Sequence, residues 1–311
     1  VVCCLPNALN SVIMTFANMI DMLTVNPCIK IAMKASPHTF DSLLSDKLTT
    51  DMLPNFIYGS YIGLAVTVFG LVPTITAMFG KSILPSLAES CAKNDKKAIQ
   101  SGLTKMLIVT SIIAIPAGMG IAVLSEPILH FLFGGRETEI QVCIMPMSIL
   151  GIAVIFLAIA TPCFAILQTL GKPHKAIIIM LTGGIIKLFL NIILIRQPII
   201  NISGAAISTL VSEVFICALS VRSVCKMTDL KPKVSEIFVK PTYAAIMCSV
   251  TAVLSHETLT KIANLQINHR FVTLFSIGIG STMYFFCLYL LCETPKNIVN
   301  YIFSKKNPQN P

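Results

Sequence analysis

The chain has 311 residues, of which 55% are hydrophobic and only 12% charged, with a mean hydropathy of +0.81. An ordinary soluble domain is about a quarter charged, and one soluble core cannot hide this much apolar surface, so lipid must be the solvent for much of the sequence. The net charge of +9 would suit nucleic acid, but the basic residues lie in short connections between apolar runs; the eleven cysteines sit mostly inside those runs without a C-x-x-C, which reads as packing and not as a disulfide or metal framework.

A spanning helix needs about 20 mostly apolar residues, and eight stretches qualify: 3–25, 54–80, 104–125, 141–167, 176–196, 204–222, 241–259 and 271–292. Only helices are expected, because backbone groups in lipid must be satisfied within the segment and these runs are too long and uniformly apolar for barrel strands. The fold class is therefore an all-α, polytopic membrane helix bundle. The chain opens without Met inside the first stretch, which predicts further sequence on the N-terminal side.

The first stretch carries Asn7, Asn10, Asn18 and Asp21, spaced so that they share one helical face. A polar stripe on a spanning helix belongs against protein or water. Asp21, toward the outer end of that stretch, is a candidate ligand or ion group, or an interfacial carboxylate. Residues 26–53 are more mixed and read as an amphipathic or loop segment at the outer surface, with Asp41, Asp46 and Lys47 on a solvated face. Gly59 and Gly63 form a G-x-x-x-G in the second stretch, read as ordinary close packing, and Lys81 is expected to snorkel to the cytoplasmic surface. Pro73, Pro85, Pro116, Pro146 and Pro162 each remove a helix hydrogen bond and tend to kink or break the span; five in successive spans favour a protein that changes shape in the membrane.

The fifth and sixth stretches, joined by a short turn, are antiparallel neighbours. Gly183, Lys187 and Asn191 fall four apart and share a face, as do Ala205, Thr209 and Glu213. A charge at mid-bilayer depth survives only when paired or facing a wet cavity. Lys187 and Glu213 lie at the same depth, so two readings stand side by side: an ion pair between them, or Lys187 lining a cavity that receives an anionic substrate or replaces a coupling cation.

The connections 89–105, 169–175, 222–240 and the tail 293–311 hold fourteen Lys and Arg, against seven in 26–53, 126–140, 196–203 and 260–270. The positive-inside rule places the first set, and hence the C-terminus, in the cytoplasm. No P-loop, G-x-G-x-x-G, H-E-x-x-H or G-x-S-x-G is present, so no enzyme is expected.

The blocks LVPTITAMFGKSILPSLAES, KNDKKAIQSGLTKMLIVTSIIAIPAGMGIAVLSEPILHFLFGG, FAILQTLGKPHKA, GGIIKLFLNIILI and ISGAAISTL, in that order, resemble the polysaccharide-exporter branch of the multidrug/oligosaccharidyl-lipid/polysaccharide (MOP) flippase superfamily, and within it the stage V sporulation protein B group. The resemblance implies a bacterial inner-membrane protein with two six-helix lobes and two closing helices. Residues 1–225 would be the second lobe and 226–311 the closing pair with a basic tail; the first lobe would be the missing partner of the same chain. It implies flipping of lipid-linked oligosaccharide, such as a peptidoglycan or polysaccharide precursor, in cell-wall or spore-cortex synthesis, with no cofactor but possible coupling to Na+, H+ or membrane potential. The alternative is a cation-coupled multidrug efflux transporter of the MATE type. Residues expected to line the cavity are Lys187, Glu213, Asn191, Thr209, Asn10, Asn18 and Asp21. By resemblance, a monovalent cation would use Asp21, Asn191 and Thr209, and Lys187 departs from that pattern.

Overall fold

The structure is a computed structural model that describes residues 4–36, 49, 51–93, 95–229, 235–263 and 269–291, with the side chains of 4–18, 79–81, 91–92, 235–236, 262–263, 269–270 and 291 outside the description. The long apolar runs fold as helices α1 (Cys4–Ala35), α2 (Leu53–Ser60), α3 (Thr67–Phe69), α4 (Leu71–Ala92), α5 (Lys96–Val123), α6 (Ser125–Phe133), α7 (Glu137–Thr169), α8 (Pro173–Leu194), α9 (Ser203–Thr228), α10 (Lys240–Ala263) and α11 (His269–Leu291). Seven stretches among the described residues are long and apolar enough to cross a membrane, and they match the second to eighth expected spans. The expected first span lies in α1. The protein is a multi-pass membrane protein.

Helix α1 runs ten residues past the expected end of its span, through Pro27 to Ala35. The expected outer-surface segment is therefore helical over its first third, and Val25, Cys28, Ile29 and Ala32 are buried in the core there. Asp41, Asp46 and Lys47 lie outside the described residues, as does the side chain of Lys81. The second span is one interrupted rod: α2 widens into a π-helical turn over Tyr61–Val66 before α3, and the Thr67 hydroxyl donates to the Ile62 carbonyl, 3.2 Å away, five residues back. Pro73 follows the break at Gly70, where its missing N–H costs least. Pro85, Pro116, Pro146 and Pro162 stand inside helices that continue past them.

Helix α7 is the axis. It packs on α9, α5 and α4, while α8 joins α9 and α1, and α10 and α11 pair with each other and rest on α5. Lipid gives helices no hydrophobic reason to associate, so contact rests on small residues that let backbones approach. A Cβ on Gly151 would lie 2.5 Å from the Ala122 nitrogen, and one on Gly118 would lie 2.6 Å from the Gly151 carbonyl. At this crossing the Ser148 hydroxyl also donates to the Ala122 carbonyl at 2.7 Å. Gly59 and Gly63, in contrast, meet nothing within 4 Å among the described residues, so the expected close packing of the G-x-x-x-G is not made by them. Between α7 and α8 the chain reverses at Gly171, whose φ of +70° suits a residue without Cβ, and Pro173 then starts α8 where no N–H is needed.

The α5–α7 crossing makes a contrast testable by thermal unfolding in detergent. Gly151→Leu is expected to cost about 3 kcal/mol or more through overpacking against backbone. Gly120→Ala, whose Cβ meets nothing within 4 Å, is expected to leave stability unchanged or raise it by up to about 1 kcal/mol.

Candidate functional site

The face of α8 that carries Gly183, Lys187 and Asn191 is buried, as their spacing requires. Lys187 turns toward α1: its Nζ lies 2.7 Å from Asp21 Oδ2, with the two side chains only 10% and 6% exposed. One turn along, Asn191 Nδ2 donates to Asp21 Oδ1 at 3.0 Å and to Thr24 Oγ1 at 3.0 Å. Both carboxylate oxygens of Asp21 are thus occupied. The Asn191 amide oxygen accepts from the Ser208 hydroxyl of α9, and the Thr24 hydroxyl donates to the Ile20 carbonyl at 2.6 Å. The result is a closed network tying α1, α8 and α9 together.

The ion pair between Lys187 and Glu213, one of the two readings of the sequence, is not formed; Lys187 pairs with Asp21. Asp21 takes the ammonium, because α1 continues to Ala35 and so sets Asp21 inside the bundle instead of at its outer edge; the residue is 4% exposed. Glu213 lies near enough to Lys187 to interact electrostatically, yet its Oε2 is covered and without a hydrogen-bond partner among the described residues. Thr209 does not join Asp21 either. Its hydroxyl donates to the Ala205 carbonyl at 2.8 Å and pairs with the phenol of Tyr61. The side chains of Asn10 and Asn18 lie outside the described residues.

Three participants escape a reading of the sequence. Thr24 and Ser208 are ordinary hydroxyls in apolar runs, and only the i, i+3 spacing of Thr24 from Asp21 hints at a shared face. Tyr61 is the third: it opens the π-helical turn, is 1% exposed, and stands close enough to Asp21 to feel its charge. A π turn shifts the face presented by the following residues, and such turns are frequent at functional sites. Chemically the site is a desolvated, neutralised ammonium–carboxylate pair in which each carboxylate oxygen accepts one hydrogen bond. No group of three or more His, Cys, Asp or Glu among the described residues could hold a metal ion.

The family model described as MurJ, Lipid II flippase MurJ, matches residues 58–276. Among curated proteins, the chain is 21% identical over 225 residues to the lipid II flippase MurJ of Bacillus subtilis, covering 70% of this chain and 40% of that protein. It is 26% identical over 186 residues to the probable low-salt glycan biosynthesis flippase Agl15 of Haloferax volcanii, covering 58% and 38%. It is 22% identical over 182 residues to stage V sporulation protein B of Bacillus subtilis, covering 58% and 34%. The chain therefore spans about two fifths or less of the length of these relatives. A solved MOP superfamily transporter from Pyrococcus furiosus superposes with a TM-score of 0.51 at 14% identity, over 91% of this chain and 67% of that one, which shows a shared fold.

Removing one member of a buried ion pair leaves the other uncompensated. Lys187→Met is expected to cost about 3–5 kcal/mol of stability, and the double variant Asp21→Asn/Lys187→Met to recover most of that loss. A thermal-unfolding cycle on the purified protein checks this; equal losses in the single and double variants would count against the pair.

Proposed function

Because the chain belongs to the MurJ lipid II flippase family, we propose that it forms one wall of a flippase that carries a lipid-linked oligosaccharide across the cytoplasmic membrane. The observation that carries this reading is the buried Asp21–Lys187–Asn191 network, a cluster of charge that a passive membrane anchor has no use for. Residues 1–225 would be one lobe, 226–311 a closing pair, and a further lobe of the same chain would face the first across a cleft. The polar, anionic head of such a substrate cannot cross hydrocarbon unaided; a cleft open sideways to lipid would pass the head while the tail stays in the bilayer. Rocking of one lobe against the other would give alternating access. The C-terminus would lie in the cytoplasm by the basic bias of its connections.

Lys187 also bears on coupling. Its ammonium fills the place beside Asp21 that a monovalent cation would take, so the lobe carries its own cation. A transporter of cationic drugs gains nothing from a carboxylate already neutralised in this way, which favours the flippase reading over multidrug efflux.

The test is a leaflet-accessibility assay for lipid-linked precursor in cells that depend on this protein alone. Depletion is expected to hold the precursor in the inner leaflet, the parent protein to restore outward movement with or without sodium, and Lys187→Ala to restore less than about a tenth of it. Undiminished translocation after depletion would remove the proposed function, whereas sodium-dependent rescue by the parent would remove only the built-in-cation reading.

A further inference from the structure

One ionisable group beside the buried network stays outside it. Glu213 shares a face of α9 with Ala205 and Thr209. Its Oε2 is covered and has no hydrogen-bond partner among the described residues, while the residue as a whole is partly exposed. Lys187 is near enough to act on it electrostatically, but the ammonium is committed elsewhere, 2.7 Å from Asp21 Oδ2.

The neighbours supply no second cation. Cys217, one turn along α9, feels the Glu213 charge, and Cys163 of α7 acts in turn on Cys217. One turn the other way, Thr209 pairs with the phenol of Tyr61 from the second span. Asp21 of α1 stands across Lys187. Thiols, a phenol and a second carboxylate cannot neutralise a carboxylate. The charges can therefore be counted. Lys187 and Asp21 cancel, so an ionised Glu213 would leave one net negative charge in the bundle, on a group whose covered oxygen receives no donor. An unpaired charge at this depth is neutralised instead of being left bare.

We propose that Glu213 is a proton-binding site that alternates with Asp21 for the one ammonium. While Asp21 holds Lys187, the Glu213 carboxylate carries a proton taken from water. When Glu213 ionises, that proton returns to water through the exposed side of the residue, and the carboxylate left behind draws on the Lys187 ammonium. A consequence for the substrate follows, and it rests on the flippase reading. An ammonium has three donors, and Asp21 takes one at Oδ2. With Glu213 neutral, the others are open to a phosphate oxygen of an anionic head group; with Glu213 ionised, the carboxylate claims them. Proton and head group then bind together, and a rise in pH releases both.

Infrared difference spectroscopy of the purified full-length protein at neutral pH tests the proton site without reference to transport. The carboxylic C=O band of the parent is expected to be lost in Glu213→Gln, which keeps the shape of the neutral acid and hence the fold. Asp21→Asn should also cut the band to less than about a third, because Glu213 then ionises to pair with Lys187. Lys187→Met should about double it, since both acids then carry protons. A band unchanged in Glu213→Gln, or left at full strength by Asp21→Asn, overturns the proposal. The consequence for the substrate is read in proteoliposomes with equal pH on both sides. The probe is farnesyl diphospho-N-acetylglucosamine, a diester whose charge does not change with pH over the range used. Between about pH 6 and about pH 9, translocation is expected to fall about fivefold in the parent and less than about twofold in Glu213→Gln; equal falls overturn the link to the head group. Absence of translocation at every pH counts against the flippase reading, and the infrared bands decide the proton site in either case.

Discussion

The arrangement of this bundle hangs on one desolvated ion pair. In a medium of low dielectric constant, neither Lys187 nor Asp21 can stand alone, and each is neutralised by the other at hydrogen-bond distance. That requirement fixes the register of α1 against α8: Asp21 meets Lys187, and Thr24 meets Asn191 one turn further on. It also fixes α9, because the Asn191 amide that serves Asp21 must itself find a donor, and Ser208 supplies it. A one-residue slip of α1 or α8 would strand a charge, and one of α9 would strand the Asn191 amide oxygen. The pair therefore specifies geometry more than it adds stability, the role best attested for buried charges.

The pairing is possible because the helices around it approach closely. Gly183, one turn from Lys187, sits so near Ile216 that a Cβ would lie 2.4 Å from its side chain. Gly204 meets the backbone of Leu194 and Ile195 at the turn of the same hairpin, with a Cβ 2.9 Å from each. Small residues thus do for α8–α9 what Gly118 and Gly151 do for α5–α7. The π-helical turn of the second span belongs to the same scheme. It buries Tyr61, whose phenol pairs with Thr209 of α9.

Much of this could be read from the residues alone. The four-residue spacings of Gly183, Lys187, Asn191 and of Ala205, Thr209 put each set on one face, and long apolar runs located the seven spans that the described residues show. The family likeness was legible in ordered blocks. What was not legible has physical causes. Composition marks where a helix leaves the apolar layer, not where it ends, so a span drawn as 3–25 placed Asp21 at a membrane edge, although α1 continues through Pro27. Glu213 is a candidate partner of Lys187 by sequence because equal depth is necessary for contact, but direction around the helix decides it, and Asp21 takes the ammonium. Tyr61 was missed because a single extra residue in a helical turn leaves no compositional trace.

The ion pair also limits how Lys187 can serve a substrate. Pulling the ammonium away from Asp21 would leave a bare carboxylate in the bundle, a penalty that few ligands could offset. An ammonium, however, carries three donors, and Asp21 takes only one at Oδ2. Under the proposed function the remaining hydrogens could meet a phosphate oxygen at the small part of Lys187 that stays exposed, without breaking the pair. The anion would then meet a charge already half cancelled by Asp21. Binding of that kind attracts the head group yet lets it go, as a passage through the membrane requires; a lone lysine in the same place would hold a pyrophosphate too tightly to release it. Under the proposed function Asp21 would moderate Lys187, with α1 and α8 holding the two in register.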